Sequence, residues 1–199
     1  MVKKPLSASK SGVLGVLVSL LAVSLLATPA FAAVARNTSA VKPAHQSAPG
    51  ASKTVAFSAS FTGKASLLID NSTVTISSIS GTGKNSLFGK SAVSGNGSAP
   101  KSSSSLCDPF GGKGSIASGA NKITFAVTQS SSQQGCSSGE SGKVTITFHG
   151  VTKATGGSGK AIGAAGTLKF SGTLHLGGTS GSQSGSFSVT LTGKLTVKS

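Results

Sequence analysis

Residues 167–176, Thr-Leu-Lys-Phe-Ser-Gly-Thr-Leu-His-Leu, and residues 187–197, Phe-Ser-Val-Thr-Leu-Thr-Gly-Lys-Leu-Thr-Val, decide the fold of this chain. Every second residue is apolar (Leu168, Phe170, Leu174, Leu176; Phe187, Val189, Leu191, Leu195, Val197), and Ser, Thr, Lys or His fill the places between. Successive strand side chains point to opposite faces, so a period of two demands one dry face and one wet face. Gly172 and Gly193 fall in the apolar phase, as expected where a strand bends and leaves no room for a side chain.

The alternation recurs upstream in Val55-x-Phe57-x-Ala59-x-Phe61, Val74-x-Ile76, Ile123-x-Phe125-x-Val127 and Val144-x-Ile146-x-Phe148. Weaker strands are expected over residues 65–69, 87–93 and 110–116. Gly- and Ser-rich breaks are expected at 81–84, 95–105, 130–142, 156–166 and 177–185. No stretch beyond residue 32 has a helical period. The expectation is an all-β chain, an antiparallel β-barrel of about eight strands over residues 54–199, because closure removes exposed strand edges. A β-sandwich is the alternative. Phe57, Phe125, Phe148, Phe170, Phe187 and Leu191 share the inward phase and are the expected core.

The N-terminus carries a different signal. Lys3, Lys4 and Lys10 precede an uncharged apolar run from Val13 to Leu26, and Ala30-Phe31-Ala32 then offers an Ala-x-Ala cleavage site. The run is shorter than the ~20 residues a membrane-spanning helix needs. Residues 1–32 therefore read as a signal peptide cut between Ala32 and Ala33, with Ala33-Val34-Ala35 as a second possible site. Residues 33–53, holding Pro43 and Pro49, read as a flexible linker. The expected destination is the extracellular space or cell envelope.

Cys107 and Cys136 are the only cysteines. In an exported chain such a pair is most simply a disulfide. The formal charge is +15, and losing the three N-terminal lysines leaves a net +12, fifteen Lys and Arg against Asp70, Asp108 and Glu140. That balance favours polyanionic neighbours such as cell-wall polymer. With no Trp or Tyr, the stacking platforms of nucleic-acid binders are missing.

Residues 156–166, Gly-Gly-Ser-Gly-Lys-Ala-Ile-Gly-Ala-Ala-Gly, lie between two strand patterns. This segment resembles the Gly-Gly-Thr/Ser-Gly-x-Phe-x-x-Ala-x-Gly stretch of allene oxide cyclase-like and dirigent-like barrels, with Ala161 standing where the family has an aromatic. The resemblance implies an eight-stranded antiparallel barrel, and it implies small apolar or phenolic substrates held in the interior.

Catalytic, cofactor and metal sites are not expected. Asp70 and Asp108 look like turn or capping residues. His45 lies in the linker, and His149 and His175 lie on wet strand phases without metal-ligand spacing. Gly89-Lys90-Ser91 ends like a phosphate loop, but Lys84 occupies the place of the required first glycine. Thr-x-Thr pairs at 73–75, 145–147 and 190–192 serve equally as ordinary wet-face residues. The leading expectation is a non-enzymatic exported barrel associating with polyanionic envelope material. The alternative is a barrel that binds, or acts as a cyclase or dirigent-like catalyst on, a small apolar ligand in its interior.

Overall fold

The computed structural model describes residues 51–139 and 142–198. The signal segment with Ala32 and Ala33, most of the linker with His45, and Glu140 lie outside the described residues. Ten strands follow in chain order: β1 (Ser52–Ile69), β2 (Thr73–Asn85), β3 (Gly89–Pro100), β4 (Cys107–Pro109), β5 (Gly111–Ser118), β6 (Asn121–Val127), β7 (Gln134–Ser138), β8 (Val144–Ser158), β9 (Gly166–Leu176) and β10 (Gly181–Lys198). All pairings are antiparallel, and eight strands close in the order β8-β6-β5-β3-β2-β1-β10-β9, with β9 returning to β8. The first and last strands pair from Ser52↔Lys198 to Ile69↔Gly181, so the longest ladder joins the two ends of the barrel sequence. β7 and β4 extend the sheet from β8 at one end. The barrel class expected from the alternation is the observed one, and the sandwich alternative falls away.

The strands run further than propensity indicates. Residues 81–84, 95–100 and 134–138, all read as breaks, lie inside β2, β3 and β7. For residues 81–84 the reason is an arrangement, repeated elsewhere in the barrel, in which a large inward ring sits over a glycine on the neighbouring strand. Phe187 faces Gly63, Phe61 faces Gly83, Phe148 faces Gly172 and Phe170 faces Gly150. A Cβ built on Gly172 would lie 2.6 Å from the Phe148 ring, and one on Gly83 would lie 2.7 Å from the Phe61 ring. These glycines are therefore required by their neighbours and do not end the strands.

The ring is also strongly staggered. Stepping from partner to partner, Thr145 leads through His175, Ser186, Lys64, Ser80, Ser94, Ser115 and Thr124 back to β8 at Gly156, eleven positions from the start. Stagger, tilt and girth are linked in a closed sheet, and an eight-stranded barrel with a stagger of about 8 is filled by side chains. The larger stagger here makes a wider barrel.

The end of the barrel near Ser52 and Lys198 is filled. Phe57, Phe61, Ile116, Ile123, Leu168, Leu195 and Val197 are buried there. Beneath them a 3-10 turn, Gly159–Ala161, tucks in Ala161 and Ala164, and Ala165 bridges to Thr196. Ala161, found where the resembled barrels have an aromatic, is thus a core residue. Asn85 closes the β2–β3 turn by accepting from the backbone N–H groups of Leu87 and Phe88 and donating to Ser91 Oγ at 2.6 Å.

Candidate functional site

The other half of the barrel is hollow. Its cause is visible on the β3–β5 wall, where the inward positions are Gly95, Gly97 and Ala99 on one strand and Gly112 and Gly114 on the next. Gly95 faces Gly114 and Gly97 faces Gly112, so this wall sends almost no side chain into a barrel that is already wide. Around it, Ile76, Ile79, Val93, Phe148 and Val189 point inward yet stay half-buried, because the space before them is empty. Of the six core residues expected from sequence, Phe57, Phe125, Phe170, Phe187 and Leu191 are buried. Phe148 is the exception: it is half-buried because it looks into the hollow.

The resulting cavity measures about 360 Å³. Its walls are aliphatic and aromatic carbon, with one edge made by a phenylalanine cluster. Phe110 and Phe170 meet edge-on at 5.8 Å between centroids, and Phe148 lies 6.4 Å from each. The inward hydroxyl of the wall, Thr152, already donates to the carbonyl of Ala126 at 3.0 Å. Among the described residues no buried side-chain nitrogen or oxygen lacks a partner.

The cavity opens at the end carrying Ile69, Val74 and Leu176, and its mouth is crossed by the segment 101–106 that joins β3 to β4. Lys101 N donates to Ser72 O at 2.8 Å, and its ammonium reaches Thr179 O at 3.4 Å. At the other end of the segment, Leu106 O accepts from Ser137 N at 2.7 Å. Asp108 accepts the Ser102 N–H at 3.2 and 3.3 Å through its two oxygens, which is the capping role its context indicates. Cys107 and Cys136 face each other across β4 and β7 and are joined in a disulfide. The bond therefore pins the lip of the cavity, between the lining residues Leu106 and Asp108 on either side of Cys107 and Gly135 and Ser137 on either side of Cys136.

The remaining polar candidates stay apart. His149 and His175 are exposed on the outer wall, and His175 Nδ1 pairs with Thr145 Oγ1 at 3.0 Å. Asp70 sits in the β1–β2 turn. Among the described residues no three His, Cys, Asp or Glu side chains gather as metal ligands. Thr145, Thr147, Thr190 and Thr192 stand in outward rows that wrap a curved wall, so they form no flat array. No helix among the described residues is long and apolar enough to cross a membrane.

Sequence reasoning missed the hollow and its mouth residues, Lys101 and Leu106. The available signal was Gly95-x-Gly97 and Gly112-x-Gly114, glycines spaced by two in the inward phase of neighbouring strands. Comparison of the chain with protein-family models, with curated proteins and with solved structures finds no match.

Proposed function

We propose that this chain is an exported, non-catalytic binding protein that holds one small apolar molecule in the open half of its barrel. The observation that carries this reading is the 360 Å³ apolar hollow. Folded interiors are packed about as tightly as organic crystals, and voids of this size are rare unless something fills them. Ligand pockets typically measure about 300–1,000 Å³ and are lined mostly by apolar carbon. A binding role is supported over a catalytic one because the deep lining offers carbon and one committed hydroxyl. The resemblance of residues 156–166 to allene oxide cyclase-like and dirigent-like barrels supports an interior ligand, and the pattern of residues 1–32 supports export.

The probe for this reading is the neutral dye N-phenyl-1-naphthylamine, which is excited at wavelengths beyond the absorption of protein side chains. One saturable site is expected. Val189→Trp, directed into the hollow, is expected to weaken dye binding at least tenfold with no loss of thermal stability. Non-saturable binding, or equal binding by the variant, would defeat the reading.

A second reading concerns the outer wall. Its charged side chains are lysines, including Lys64, Lys84, Lys113, Lys153, Lys169 and Lys194, and Lys84 faces Lys90 directly in the β2–β3 ladder. Like charges opposed on neighbouring strands repel, and an anion between them relieves that cost. We infer weak association with polyanionic envelope polymer. Cosedimentation with such a polymer is expected at 0.1 M salt and lost by 1 M, as the Debye length falls from about 10 to about 3 Å. Retention at 1 M would count against it.

A further inference from the structure

We infer that the ligand of the barrel is an amphiphile with an anionic head, its hydrocarbon tail in the hollow and its head at Lys101. The inference rests on the reading above that the hollow is a ligand site. It follows from where polar capacity is left over. Inside, no buried side-chain nitrogen or oxygen among the described residues lacks a partner, and Thr152 has committed its proton to Ala126. A polar head placed there would lose its water and find no new donor, which is costly for a neutral group and more so for a charge. The head must therefore stay at the mouth.

Three charged residues border the cavity, Lys101, Asp108 and Lys113. Lys113 is exposed in the outward phase of β5, between the inward Gly112 and Gly114, which leaves Lys101 and Asp108 at the mouth. The Asp108 carboxylate is half-buried and turned toward the loop backbone, where its two oxygens share the Ser102 N–H. Lys101 is exposed, and among the described residues the one partner of its ammonium is the Thr179 carbonyl at a long 3.4 Å, so its three-donor head is nearly uncommitted. An ammonium in that state attracts an anion and repels a cation. Leu106, 73% exposed beside it, offers an apolar threshold across which a tail can pass.

The test uses three molecules with the same twelve-carbon tail, dodecanoate, dodecanol and dodecylammonium. Each displaces N-phenyl-1-naphthylamine at pH 8, below its micellar range, from the wild type and from Lys101→Gln, Lys101→Arg and Lys84→Gln. Dodecanoate is expected to bind at least tenfold more tightly than dodecylammonium to the wild type, Lys101→Arg and the outer-wall control Lys84→Gln. In Lys101→Gln the two should come within threefold. Equal binding of the three heads to the wild type would overturn the inference, as would a preference that survives in Lys101→Gln. So would a dye that binds but is displaced by none of the three. If the dye itself does not bind, the hollow is not a ligand site, and it is the earlier reading that fails.

Discussion

Phe61→Ala is expected to lower the unfolding free energy by about 3–5 kcal/mol, whereas Ile76→Ala in the same barrel should cost about 1 kcal/mol or less. Phe61 is 1% exposed in the filled half, and truncation there leaves a void that the closed ladders on both sides cannot collapse. Ile76 faces the hollow and is only half-buried, so its removal enlarges an existing space and gives up fewer contacts. Denaturant titration followed by far-ultraviolet circular dichroism measures both, since the chain has no Trp or Tyr for intrinsic fluorescence. Equal costs at the two sites would show that the open half is packed as tightly as the other.

Cys136→Ser is expected to cost about 2–5 kcal/mol, the usual range for losing a native disulfide in an exported domain. The bond closes a loop with a sequence separation of 29 and joins a three-residue strand to a five-residue strand, which hold few ladder hydrogen bonds of their own. Because those strands form the lip of the hollow, the loss should be felt at the mouth as well. Dissociation of N-phenyl-1-naphthylamine should quicken at least tenfold in the variant. The double variant Cys107→Ser/Cys136→Ser should match the single one, because either change removes the bond. A variant as stable as the wild type would mean that the remaining lip contacts suffice without it.

The alternation of Phe, Leu and Val was legible because it is local: residues two apart share a face whatever the rest of the chain does. It located the inward phase at Phe57, Phe125, Phe170, Phe187 and Leu191. Strand length was not legible, since Gly81, Gly83, Gly95 and Gly97 read as breaks until the neighbouring strand is known. Gly83 is explained by Phe61, 22 residues earlier, and Gly172 by Phe148, 24 residues earlier. The cavity was less legible still. It depends on the stagger of the whole ring, a sum over eight ladders that no single segment encodes. Lys101 looked like one lysine among many until the fold put it at the opening.

The ring-over-glycine pairs also bear on how the chain finds its alignment. Outward rows of Ser and Thr are nearly interchangeable along β1, β9 and β10, so hydroxyl contacts alone would tolerate sliding by two residues with every side chain still on its proper face. A two-residue slip of β10 against β1 would move Phe187 from Gly63 onto Phe61 or Ala65, where the notch is gone. The phenylalanines thus work as keys and the glycines as wards. A low-complexity sequence is locked to a single alignment by a handful of mismatched sizes, and changing either member of a pair should show first as mispaired, aggregating chains during refolding.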